Sequence, residues 1–123
     1  MSLTLTPETL AAAYEYLRTT PPFKRWKLPP ADEVEFHVLR LKDRAADHSV
    51  VHRPEKQHTI RVSSQNVTTT DGLLEVMAHE MVHAYQDGVT RTGSRRVDHN
   101  KEFIQLSARV CKAHGWQLSL FIE

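Results

Sequence analysis

The sequence has little of several features that define protein classes. Its 123 residues contain a single cysteine, Cys111, so a disulfide framework within the chain and a zinc ribbon of several cysteines are both excluded. No apolar run approaches the roughly 18 residues that cross a bilayer, so we expect no membrane partner. The first residues lack the basic-then-apolar pattern of a secretion signal, so we expect a reducing, cytoplasmic compartment.

Net charge is also nearly absent. The chain has 16 Lys and Arg against 15 Asp and Glu, a formal net charge of +1. No overall field therefore draws it to nucleic acid or to a membrane, and DNA could be bound only through local basic loops. Its hydrophobic fraction of 40% is that of an ordinary globular protein, and its length fits one domain, residues 1–123.

Local patterns predict an α+β fold in which one helix precedes a small sheet. Residues 7–19 carry apolar side chains at helical spacing, behind the helix start Thr6-Pro7-Glu8. Three later segments have the composition and alternation of short strands, and their short links suggest a small, three-stranded, mostly antiparallel sheet. These segments are residues 33–42, 45–53 and 57–63.

Two longer helices are expected after the strands. The first covers 71–88 and stops at Gly88, a residue type common at helix ends. The second has Asp98 or Asn100 as its cap. Residues 116–122 alternate weakly and are expected to form a tail that packs against the sheet.

The pattern that carries chemistry lies in the first of these two helices. His79-Glu80-Met81-Val82-His83 is an H-E-x-x-H. A spacing of four places both imidazoles on one helix face, where they can bind one zinc ion, and Glu80 can then act as general base on a water at the metal. The plainer alternative is a pair of helical histidines beside a solvated Glu, with no metal.

A catalytic zinc site takes three protein ligands and leaves one position open. His99 lies sixteen residues after His83, beyond a loop long enough to reverse the chain, and is the preferred third ligand. Glu102, one helical turn further on, stays open as an alternative. His114 is a more distant candidate.

Three other groups of residues have a functional and a plainer interpretation. Basic residues around Phe23 and Trp26 could contact nucleic acid, or these aromatics could fill the edge of the core. The basic loop 89–97 could touch an acidic partner, or simply be solvated. Three histidines of the strand region could form a second metal site, although exposed strand histidines explain them more simply; these are His48, His52 and His58.

Two segments together resemble the SprT-like zinc metalloprotease family, some of whose members cut proteins crosslinked to DNA. They are residues 79–85, HEMVHAY, and residues 98–103, DHNKEF, joined by a basic loop. The upstream arrangement of one helix followed by a three-stranded sheet is also similar to that family. A domain of this size also resembles minimal zincins, some of which use Glu as third ligand. Asn100 stands where the family usually has glycine.

The resemblance implies a role for each motif residue. His79, His83 and His99 would be the zinc ligands, the last of them carried by the C-terminal helix, and Glu80 would be the catalytic acid–base group. The expected function is a zinc-dependent metallopeptidase that acts on proteins or peptides, DNA-associated proteins among them. The alternatives are a zinc-stabilised DNA- or protein-binding module without useful turnover, and a metal-free structural domain.

Overall fold

A computed structural model describes residues 3–93 and 97–123 of the chain. These residues form an α+β fold, as the sequence predicts, with three strands in one sheet. No helix in these two ranges is long and apolar enough to cross a lipid bilayer. In chain order the main elements are α1 (Pro7–Arg18), β1 (Val34–Leu39), β2 (Ala46–Val51), β3 (Gln57–Ser63), α2 (Thr70–Tyr85), α3 (Lys101–His114) and α4 (Leu118–Phe121).

Helix α1 begins where its sequence predicts. The Thr6 hydroxyl accepts a hydrogen bond from the Thr9 N–H at 3.1 Å, and the Thr9 hydroxyl accepts one from the Thr6 N–H at 2.9 Å. This reciprocal pair is a capping box, which satisfies two backbone donors at the helix start. The buried face of α1 packs against α2 and β1 and consists of Leu10, Ala13, Tyr14 and Leu17.

The sheet is mixed, with β3 between the other two strands. Strand β2 pairs antiparallel with β3, as expected, but β1 pairs parallel with β3. The expectation of a mostly antiparallel sheet is therefore right for one of the two strand pairs and wrong for the other. It assumed that strands adjacent in sequence pair with each other, whereas β1 and β2 lie on opposite edges.

The link between β1 and β2 explains this order, because it crosses the end of β3. The Ser63 hydroxyl and the Asn66 amide donate hydrogen bonds to the Leu41 carbonyl at 2.7 and 3.0 Å. Asn66 also donates to the Arg44 carbonyl at 2.8 Å. These polar side chains satisfy the link's backbone acceptors, which allows it to pass over β3 rather than form a hairpin.

Helix α2 lies across the core, and its predicted end at Gly88 is wrong. Thr69 caps its start by accepting a hydrogen bond from the Gly72 N–H at 3.0 Å. At the other end the chain continues as a π-helical turn, Gln86–Thr90, and leaves the helical conformation only at Arg91, whose φ is 60°. Gly88 is needed for space instead: a Cβ there would lie 2.6 Å from Nε2 of a buried histidine on β3, His58.

The aromatic residues of the connector before the sheet belong to the core. Phe23 and Trp26 are 1% and 4% exposed, and the Trp26 ring stacks on Tyr85 with centroids 4.4 Å apart. Their faces are therefore not free to stack on bases, while Lys24 and Arg25 between them remain exposed. The core-edge interpretation of this segment is the one that the structure supports.

Candidate metal centre

The two histidines of the H-E-x-x-H leave the same face of α2. Their ring centroids lie 5.1 Å apart, and the His79 ring is buried, with 9% of the residue exposed. A spacing of four residues on a helix produces this arrangement, because i and i+4 positions are neighbours on the helix surface. His79 and His83 therefore present two imidazoles to one point in space.

His99 comes to the same point from the segment before α3. Asn100, one of the two predicted caps, starts that helix by accepting a hydrogen bond from the Phe103 N–H at 2.9 Å. The His99 ring stacks on Phe103 at 4.4 Å and lies 4.9 Å from the His79 ring and 5.3 Å from the His83 ring. One ring nitrogen from each of the three histidines lies within 4.8 Å of the others, so together they could hold a metal ion.

Glu102, the alternative third ligand, is engaged elsewhere. Its carboxylate accepts a hydrogen bond from the Gln86 side-chain amide at 3.0 Å and another from the Thr92 hydroxyl. The same Gln86 amide donates to the Asn100 side chain at 3.1 Å. Gln86 is 1% exposed and was not singled out from the sequence. It connects the end of α2 to the start of α3 and so helps to fix the segment that carries His99.

His114, the remote candidate, lies outside this group. Its Nε2 is 3.3 Å from the Thr20 hydroxyl, and its ring stacks on Trp116 with centroids 5.0 Å apart. It closes α3 beside Gly115, which takes the left-handed conformation at φ 80°, as expected of a glycine after a helix.

The C-terminal segment forms a hydrogen bond with the His79 ring. The Nδ1 of His79 donates a hydrogen bond to the Phe121 carbonyl at 2.6 Å, which leaves the lone pair of its Nε2 free. The expectation that residues 116–122 form a tail against the sheet is wrong: residues 118–121 form α4, and Phe121 is buried beside the His79 ring. A backbone carbonyl carries no side-chain signal, so this contact could not be found from the sequence.

Burial sets the charge state of the two α2 histidines. It lowers the pKa of His79, and it lowers the pKa of His83 to about 4. Both imidazoles are therefore neutral near pH 7 and have a lone pair available for a metal. A neutral imidazole is the form in which histidine binds metal ions.

Glu80 is buried beside these histidines, with 6% of the residue exposed, and forms neither a hydrogen bond nor an ion pair with any residue in the described ranges. Burial, assisted by Asp47 and Asp98, raises its pKa to about 8. A nearby dication would lower this pKa again, because it favours the ionised carboxylate. The group is thus prepared to exchange a proton near neutral pH.

All four residues of the predicted site line one open cleft of about 640 Å³. Helix α2 forms its floor, the start of β2 forms one wall, and α4 and the segment before α3 form its ends. A cleft of this size accommodates a short stretch of peptide. The sequence-predicted residues His79, Glu80, His83 and His99 are therefore all brought together.

The histidines of the strand region form a different structure. The Nε2 of His48 and the Nδ1 of His58 share a hydrogen bond at 2.8 Å, and Asp87 lies 3.5 Å from the other nitrogen of His48. Within the described residues, His52 forms no hydrogen bond with either of them, although its charge lowers the pKa of His58. Within the described ranges, the group of three ligands able to hold a metal is His79, His83 and His99, so a second metal site among the strand histidines is not supported.

The match of the chain to known families agrees with this geometry. The model of the SprT-like family matches residues 13–120, which include both motif segments and all three strands. The chain belongs to the SprT-like family. Among curated protein sequences, no significant match is found. Membership indicates a domain of the zinc-metallopeptidase type, and the three histidines of this SprT-like chain are compatible with zinc.

Only part of the basic loop 89–97 lies within the described residues. Arg91 is exposed at its start. Ser94, Arg95 and Arg96, on which the predicted contact with DNA or an acidic partner also depends, lie outside the described residues. That contact stays a prediction.

Proposed function

We propose that the chain is a zinc-dependent peptidase that hydrolyses peptide bonds of protein or peptide substrates. The observation that carries the proposal is the convergence of three imidazoles beside a buried, unpaired carboxylate in an open cleft. This is the set of groups that a metal-assisted hydrolase needs: three imidazole ligands, one acid–base group and access for a substrate.

The donor set fits zinc. His79 and His83 are neutral near pH 7, and the Phe121 carbonyl fixes the tautomer of His79 so that Nε2 carries the lone pair. Three nitrogen donors with an open position are typical of catalytic zinc. When bound here, zinc supplies a Lewis acid that lowers the pKa of a water and polarises the scissile carbonyl.

The protein's own groups then carry the proton. Glu80, next to His79 on α2, accepts a proton from the attacking water and returns it to the leaving amine. Burial raises the Glu80 pKa and so opposes the lowering that a zinc ion would cause, and proton transfer is most effective when the pKa of the acid–base group lies near the working pH. The cleft orients the peptide across the face of α2 that carries the three motif residues.

Glu80 also argues against a zinc-stabilised binding module, the alternative function. A buried carboxylate without a hydrogen bond costs free energy, and metal binding by three histidines does not need it. A role as the catalytic acid–base group accounts for this carboxylate in the cleft. Because related proteases act on proteins crosslinked to DNA, proteins bound to DNA are the first substrates to test beside free proteins.

The deciding experiment compares the zinc-loaded wild type with Glu80→Gln. We expect both to bind one equivalent of zinc, and we expect cleavage of a casein or DNA-bound protein substrate to fall by roughly 10²–10⁴-fold in the variant. Glu8→Gln, at an exposed position of α1, is the matched control and should cleave like wild type. Full activity of Glu80→Gln would contradict the mechanism, and a wild type that binds zinc and DNA but cleaves nothing would favour the binding module.

A further inference from the structure

One end of the cleft, N-terminal to His79, combines apolar and acidic groups. Glu75 and Val76 lie on α2 one helical turn before His79 and Glu80, and Leu120 of α4, a helix that contacts α2, lines the same cleft. Leu120 is 59% exposed, so its side chain is accessible to a substrate in the cleft. We call Glu75, Val76 and Leu120 the α2–α4 subsite.

The carboxylate of this subsite has no partner within the described ranges. Glu75 forms neither a hydrogen bond nor an ion pair there, and burial, with Asp71 nearby, raises its pKa. The acids on the wall formed by residues 43–47 differ, because Arg44 pairs with Asp43 and Asp47 at 3.1 Å and Arg61 also binds Asp47. The charge on that wall is therefore balanced, and the charge of Glu75 is not.

Most other charged residues that line the cleft are also acidic. Asp87 and Asp98 also line it, with one histidine contact each. Glu123 lines it as well. The one Lys or Arg among the described lining residues is Arg44, which is already paired. The low-dielectric walls of a cleft focus such a field. A zinc ion at the three histidines would repel other cations near it, so a cation is attracted to the part of the cleft that Glu75 lines.

We propose that the α2–α4 subsite binds a lysine or arginine side chain of the peptide substrate, and so gives the proposed peptidase a preference for basic segments. The aliphatic stem would lie on Val76 and Leu120 while the charged end reaches Glu75, the usual way in which these long side chains cover apolar surface. A purely apolar side chain would leave Glu75 desolvated and unpaired, and an acidic one would be repelled. This inference rests on the proposed function, since it names the substrate class of the same cleft.

The test measures binding rather than turnover. Zinc-loaded Glu80→Gln is titrated into labelled eight-residue Ala/Ser peptides that carry lysine, norleucine or glutamate at one position, scanned along the peptide, and fluorescence anisotropy gives Kd. At the best position we expect lysine to bind about five- to tenfold tighter than norleucine, and glutamate weakest. Adding Glu75→Gln should reduce the lysine advantage to about twofold or less, because the ion pair is lost while the apolar contact remains.

The matched control is Glu55→Gln in the same background, which removes an equal charge at an exposed position outside the cleft and should leave the lysine advantage intact. Equal binding of the lysine and norleucine peptides, or a lysine advantage that Glu75→Gln does not change, would overturn the subsite. Selective lysine binding that depends on Glu75, in a protein whose wild type cleaves nothing, would support the subsite and reject the peptidase.

Discussion

Burial keeps one histidine outside the candidate site, His58, in its neutral form. His58, on the middle strand, is 2% exposed, and burial lowers its pKa to about 4, with His48 and Lys56 acting in the same direction. It is packed against Gly88 of the π-helical turn, so water cannot easily reach it. Its role is to join the sheet to the end of α2, and it does so in the neutral form.

This burial predicts a pH dependence of stability. The unfolded chain protonates His58 near pH 6.5, whereas the folded protein does so only near pH 4. The unfolded state therefore binds the proton first, so the His58 contribution is intact above pH 6.5 and is lost as the pH falls towards 4, by up to about 3 kcal/mol. Urea unfolding of zinc-free wild type and His58→Gln between pH 4 and 7 measures it.

In that comparison, the free energy of unfolding should change less steeply with pH in His58→Gln than in wild type. The difference in slope should correspond to about one fewer proton taken up on unfolding. Glutamine is neutral throughout and can still bond His48. His37→Gln, at an exposed position of β1, controls for the loss of one histidine. Parallel pH profiles for wild type and His58→Gln would show that His58 is not held neutral by the fold.

The short helix α4 matters more than its length suggests, because it supplies the only hydrogen bond that His79 makes within the described ranges. Phe121 is 2% exposed and packs between the His79 and Trp116 rings, with centroid distances of 5.6 and 6.0 Å. The side chain anchors α4, and the anchored backbone orients the imidazole. Packing at this helix is therefore expected to affect metal affinity.

Phe121→Ala tests this coupling. Removing the ring frees α4, so the carbonyl no longer holds Nδ1 of His79, and we expect zinc affinity to fall by roughly 10–100-fold. Competition with a chromophoric chelator measures the Kd. Leu120→Ala, an exposed position on the same helix, is the control and should keep its Kd within about twofold of wild type. A folded Phe121→Ala with wild-type affinity would contradict the role of α4.

The arrangement of the whole molecule was partly readable from the sequence. Periodicity and capping residues placed α1 and α2 correctly to within a few residues, because Thr6 and Thr69 are strong local signals. The parallel pairing of β1 with β3 was not readable, since it depends on the link held by Ser63 and Asn66. Local composition predicts which residues form strands. It does not predict the order of the strands, because that order depends on contacts between residues distant in sequence.

In the candidate site, too, the residues with a local sequence pattern were predicted and their supporting contacts were not. The H-E-x-x-H predicted His79, Glu80 and His83 through helical spacing, and both the position of His99 and the resemblance favoured it over Glu102. The groups that support them, Gln86 and the Phe121 carbonyl, were not found, because one is an ordinary polar residue and the other a backbone atom. Spacing within a helix is encoded locally, whereas the partners of a ligand come from elements distant in sequence.

Metal should contribute to the stability of the whole molecule, because the three histidines come from segments that only folding brings together. At free zinc a thousandfold above Kd, the expected gain is about 4 kcal/mol, which corresponds to a rise in Tm of roughly 10–20 °C. Calorimetry with and without chelator measures it. His99→Ala should lose most of this gain while His37→Ala keeps it, and an equal gain in His99→Ala would exclude His99 as a ligand.

The central claim is that one zinc ion is held by three histidines, two from α2 and one from the segment before α3. Anomalous diffraction from crystals of the zinc-loaded protein, collected on both sides of the zinc absorption edge, tests it directly. We predict one strong peak about 2.0–2.1 Å from a ring nitrogen of each of His79, His83 and His99. A peak that takes the Glu102 carboxylate in place of His99, or no peak between the two α2 histidines, would contradict the account.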